Sequence, residues 1–228
     1  MKRLLLAAVL ALTACTRTTS LTGCIVGSTP AGELSVGADA VVLVVPASQS
    51  FEAEWQGIVA AFREEYDAAS ASYGDARSRY RAARAAEQTA VRAQRQVLKT
   101  SPARVHEDAT TGARVWSNQT PPSVYHVAQN RSQATGVMTQ AGRRLNGVID
   151  THLAGAIVAL KKHQSGAART DARGCYVVSG VPMQRVYVFA NHGDRYWLRE
   201  VDAARKPASV DFTPDRSGWP FAAVVRPG

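Results

Sequence analysis

The chain lacks most of what marks an enzyme or a membrane-spanning protein. It has no glycine-rich loop to cradle phosphate, no paired-cysteine metal motif and no nucleophile elbow. Its five histidines, His106, His126, His152, His163 and His192, stand without a neighbouring motif, and none of the spacings suits a metal. His152 and His163 read as hydrogen-bonded or solvent-facing side chains. Hydrolysis needs a nucleophile, a base and an orienting acid within hydrogen-bond reach, and nothing in the order of residues gathers such a set. The expectation is a protein without catalytic activity, metal or cofactor. The apolar run at residues 4–12 is too short to span a bilayer as a stable helix. Cysteine is scarce, at three residues: Cys15, Cys24 and Cys175.

Proline is missing from residues 51–99, and glycine occurs there only as Gly57 and Gly74. Alanine, arginine, glutamate and glutamine dominate. Ser48 or Ser50 can cap a helix, with Glu52 and Glu54 in its first turn. A helix of this length amounts to about 73 Å at 1.5 Å per residue. Val59, Tyr66, Tyr73, Tyr80, Glu87 and Gln94 form one heptad position. Trp55, Phe62, Ala69, Ala76, Ala83, Ala90 and Val97 form the other, with alternating steps of four and three, the seam of a coiled coil. Alanine lets a partner backbone approach, and tyrosine fills the remaining space with its hydroxyl at the edge. Residues 123–163 give a second helix whose apolar face runs through Val127, Ala134, Met138, Ala141, Leu145, Val148, His152, Ala156 and Leu160. Gly136, Gly142 and Gly147 weaken it but permit close approach. The two read as an antiparallel hairpin. Between them, residues 103–122 read as a tip with a short β-hairpin around Trp116, an aromatic candidate for partner contact.

Extended segments flank the helices. Residues 23–27 and 40–45 come before them, the second run stopped by Pro46. After them come residues 168–178 with a turn at 172–174, then 185–190, 196–201 and 209–212. Residues 220–228 could add an edge strand or trail loosely. The fold class expected is therefore α+β: a small antiparallel β-sandwich with a long antiparallel helical coiled-coil hairpin inserted between its strands.

The start of the chain resembles a bacterial lipoprotein signal. Lys2 and Arg3 precede the apolar run, and Leu12-Thr13-Ala14-Cys15 is similar to a lipobox. The resemblance implies a cut before Cys15, lipidation of Cys15 and, with Thr16 next, sorting to the outer membrane facing the periplasm. Residues 1–14 are then a signal peptide and 15–22 a polar tether. In such an oxidising compartment, Cys24 and Cys175 suit a disulfide; two separate buried thiols are the alternative. Residues 37–41, 170–182 and 186–190 resemble a carboxypeptidase regulatory-like domain, a transthyretin-type sandwich. That resemblance covers 23–46 and 168–212, and the sandwich it implies is drawn from 23–46 and 166–228. It departs from the family in lacking glycine near Gln184-Arg185 and in carrying the 47–165 helical insertion. A Cys24–Cys175 bridge would tie the two halves at the base of the hairpin.

The formal charge is +9, with arginine taken as spread along the chain. Nucleic acid is an unsuitable partner for an exported protein. Anionic lipid or acidic polysaccharide suits a basic envelope protein, and solubility alone is the competing explanation. The function expected is a structural or protein-interaction lipoprotein whose hairpin meets an envelope partner. The alternatives are an adaptor-like component of an export system, or carbohydrate binding through Tyr196, Trp197 and Trp219.

Overall fold

The computed structural model describes residues 17–28, 34–100, 105–107, 114–116, 122–205, 208–213 and 218–221. Cys15 and the rest of the lipobox lie outside them. The elements run β1 (Thr18–Cys24), β2 (Val26–Ser28), β3 (Leu34–Val36), β4 (Val41–Pro46), α1 (Gln49–Thr100), β5 (Val105–Glu107) and β6 (Arg114–Trp116). There follow α2 (Pro122–His163), β7 (Gly166–Arg169), β8 (Cys175–Pro182), β9 (Arg185–His192) and β10 (Arg195–Asp202). The fold is α+β, with two long packed helices and antiparallel sheets. The chain divides into two compact units, one drawn from Met1–Ile58 and Ala154–Ala223, the other centred on Val59–Leu153.

In the first unit, a four-stranded sheet has the order β10-β9-β4-β7. β4 is central, pairing with β9 from Val41 opposite Asn191 and with β7 from Val41 opposite Arg169. Its residues Val42 to Val45 are buried on both faces, which explains the unbroken run of branched side chains. Val42 and Val44 face a core shared with Val186, Val188 and Trp197, with Leu21 of β1 and Ile25 just after it, and with Tyr176 and Val178 of β8. β1 and β8 form the second layer. Residues 209–212 join it through bridges to Thr22 and Ile25. Gly23 is required here, because a Cβ would collide with the Val210 carbonyl. The opposite side of the four-stranded sheet is covered by the roots of the helices: Phe51 packs on Tyr187 at 5.3 Å and on His163 at 5.6 Å.

Several expectations change. Residues 18–22, read as tether, belong to β1 and pair with β8. The two arms about the 172–174 turn go to different sheets, β7 to β4 and β8 to β1. The turn itself is an Asx turn, Asp171 Oδ1 accepting from the backbone N–H of Arg173 and Cys175. Of residues 220–228, Pro220 and Phe221 are described and form a turn; 222–228 lie outside the described residues. Trp219 and Phe221 are buried, with Trp219 5.6 Å from Trp55 and 5.3 Å from Phe189.

In the second unit, α1 and α2 run antiparallel. Glu65 meets His152, and further along α1 Glu87 meets Arg131. Phe62, Ala69 and Ala76 are buried, and Tyr66, Tyr73, Tyr80, Ala83, Glu87, Ala90 and Gln94 are half-buried, the heptad seam read from the sequence. Val97 departs from it at 60% exposure. On α2, Leu145 and Ile149 are buried, and Gly142 is the glycine that lies in the packed face. Gly136 and Gly147 face open space, so close approach is not their role. β5 and β6 pair Val105 with Trp116 in the expected short hairpin.

Candidate interaction surfaces

The Ser48 hydroxyl starts α1 by accepting from the Phe51 N–H at 3.2 Å, which leaves Glu52 as the acid of the first turn and puts Glu54 in the second, not the first as the sequence suggested. Glu52 then receives Arg185 Nη2 at 2.6 Å, and Glu54 receives Lys162 Nζ at 2.8 Å and His163 Nε2 at 2.7 Å. The Lys162 hydrogen bond, followed by that of His163, holds the Glu54 carboxyl below its ordinary pKa. These acids clamp the roots of both helices to each other and to β9. Burial, then the nearby Glu200 and Glu52 charges, raises the Tyr187 phenol above its usual range. Tyr176 is raised further by burial and stays a neutral donor to the Val210 carbonyl at 2.7 Å. The N–H of Cys175, ahead of that of Arg173, holds Asp171 low. All of these groups are occupied in holding the fold.

The candidate residues separate clearly. Cys24 and Cys175 are register partners of β1 and β8 and form a disulfide, so the two-thiol alternative falls. Trp197 is 1% exposed and donates Nε1–H to the Thr213 carbonyl at 2.9 Å, which removes it as a stacking platform. Tyr196 is half-buried and stacks on Trp219 at 5.5 Å. Trp219 is itself buried and covers one face of the Tyr196 ring. Trp116 lies in β6, and its side chain falls outside the described residues. His163 is hydrogen-bonded, as read. His152 differs: it is mostly buried against Phe62, and its Nε2 lies 3.2 Å from Glu65 without hydrogen-bond alignment.

A polar groove in the first unit is lined by Arg199, Glu200, Ser209, Asp211 and Thr213. Its charges are already engaged. Arg199 donates to the Asp211 carbonyl, Glu200 pairs with Arg185, and Asp211 Oδ1 accepts from the Cys24 N–H. Among the described residues no group of three His, Cys, Asp or Glu side chains is placed to hold a metal, and no helix is long and apolar enough to cross a membrane.

The larger surface is on the second unit. The positive charge is not spread along the chain. Residues 76–100 and 122–149 hold ten Lys and Arg against one acid, Glu87; the remainder of the chain holds 17 of each sign. Sequence reading missed this because it counted charge over the whole chain and not by helix segment. On α1, Arg77, Arg81, Arg84, Arg92, Arg95 and Lys99 are all exposed. At 100° per residue they lie within an arc of about 80°.

These features define a disulfide-bonded α+β protein with a basic helical hairpin. No protein-family model matches the chain, and no curated protein matches it in sequence. Among solved structures, the pilus backbone (RrgB) of Streptococcus pneumoniae is similar over 85% of this chain and 40% of that one, at 12% identity and a TM-score of 0.24. The chain thus spans less than half the length of that protein, and a score so low carries no argument about fold or role.

Proposed function

We propose that the chain is a bacterial envelope lipoprotein without catalytic activity, anchored through lipid on Cys15 at the outer membrane and facing the periplasm. Its β-region, the part that resembles a carboxypeptidase regulatory-like domain, serves as a base. Its hairpin serves as the arm that meets an envelope partner. One observation carries the reading. Two helices of 52 and 42 residues pair with each other through a narrow seam and leave long polar faces exposed. A pair of helices that buried its surface only for stability would not need that length. The disulfide is a second support, since such bonds persist in oxidising compartments.

Photocrosslinkers placed at Ala82 or Ala93 on α1, and at Arg173 or Ala204 on the β-region, test the arm in cells. Protein adducts are expected from the hairpin positions. Adducts from the β-region positions alone would refute it. In the same strain, Cys15→Ser is expected to move the protein from the membrane to the soluble fraction, and continued membrane retention would refute the anchor.

A further inference from the structure

We propose that the arginine face of α1 is a docking surface for a linear acidic polysaccharide, whose carboxylates pair with successive turns of the helix. This rests on the reading of the hairpin as the contact arm, and adds to its protein contact, tested at Ala82 and Ala93, a polymer held by a different face of α1. Arg77, Arg81, Arg84, Arg92, Arg95 and Lys99 span 23 residues of α1, about 33 Å from first to last at 1.5 Å per residue. All six are exposed, and no ion pair among the described residues involves any of them. Like charges three and four residues apart destabilise a helix. So the stripe opposes the fold of α1 until an anion lies along it. Five of the six are guanidinium groups, whose fork matches a carboxylate with two parallel hydrogen bonds.

Charge and setting choose the occupant. The Cys24–Cys175 disulfide argues for an oxidising compartment and against intracellular nucleic acid. A bilayer surface is disfavoured because a helix lying on lipid needs an apolar face beside its cations. Here the apolar seam is committed to α2, and the residues among the arginines are Ala85, Gln88 and their like. Arg79 on another side of α1, and Arg143 and Arg144 on α2, are exposed too. A flat membrane meets one line of a rod, whereas a flexible polymer can use several.

The test uses the purified, disulfide-intact chain, with polygalacturonate as the probe and dextran as the neutral control. Binding to polygalacturonate and not to dextran is expected, weakening steeply as salt rises from about 50 to about 200 mM. Arg77→Gln/Arg81→Gln/Arg84→Gln is expected to weaken binding about tenfold or more. Arg173→Gln/Arg205→Gln on the β-region is expected to leave it unchanged. Glutamine keeps helix propensity, and circular dichroism checks that α1 persists; should the triple variant lose helix, Arg92→Gln/Arg95→Gln and the wild-type salt series still decide. The proposal is overturned by absence of polygalacturonate binding at low salt or by equal loss in the control variant. Tighter binding to phosphatidylglycerol vesicles or to duplex DNA at the same ionic strength would also overturn it. Failure here with the crosslinking and Cys15→Ser results intact would reject the ligand and leave the arm standing.

Discussion

Glu54 carries a testable charge at the base of the helices. Its carboxyl is held below its ordinary value of 4.5 by Lys162 and then His163. A carboxylate with a depressed folded pKa stabilises the protein above its unfolded pKa and loses that contribution as pH falls through the folded one. Wild-type stability is therefore expected to drop more steeply than that of Glu54→Gln as pH falls below about 4.5. Urea midpoints of both proteins from neutral pH to pH 3 measure this, and parallel curves would show that the clamp contributes nothing. The sequence placed Glu54 in the first turn of a helix but gave no sign of its partners, because Lys162 and His163 lie over 100 residues away and meet it only through tertiary packing. The same distance hid the burial of Trp219 against Trp55. Trp197 was legible only as a strand residue, since alternation says which side chains share a face and not what covers that face.

At the scale of the element, the helical seam is the most legible part of the molecule. A repeat of seven writes itself along one chain, and the buried positions Phe62, Ala69 and Ala76 follow it. Ala76 is 4% exposed, so a larger side chain must push the helices apart. Ala76→Leu is expected to destabilise the hairpin by about 1–3 kcal/mol. Ala82→Leu, at an exposed position, is expected to change stability by less than about 0.5 kcal/mol. Thermal unfolding followed by circular dichroism compares them, and equal melting temperatures would contradict close packing at Ala76. Strand identity was legible from branched residues, but strand partners were not. β7 and β8 are neighbours in sequence and members of different layers, and only the assembled core decides that.

At the scale of the whole molecule, the β-region is built from two stretches of chain separated by both helices, and Cys24 and Cys175 join them 151 residues apart. Replacing both with serine is expected to lower stability by about 2–5 kcal/mol, most of it through the freedom regained by the unfolded chain. Guanidinium titration of the double variant and of reduced wild type measures it; an unchanged midpoint would mean that the sheets hold the halves together unaided. The pairing could be anticipated from cysteine number, yet its register, strand against strand, required β1 to begin earlier than the polar residues 18–22 suggested. Covalently, the stretch from Cys24 to Cys175 is a closed circuit with a tail leaving each end, and every residue of α1 and α2 lies on the circuit. A protease that severed the hairpin at any point would open the circuit without producing two molecules, so damage to the arm would leave both fragments tethered wherever the first tail is held.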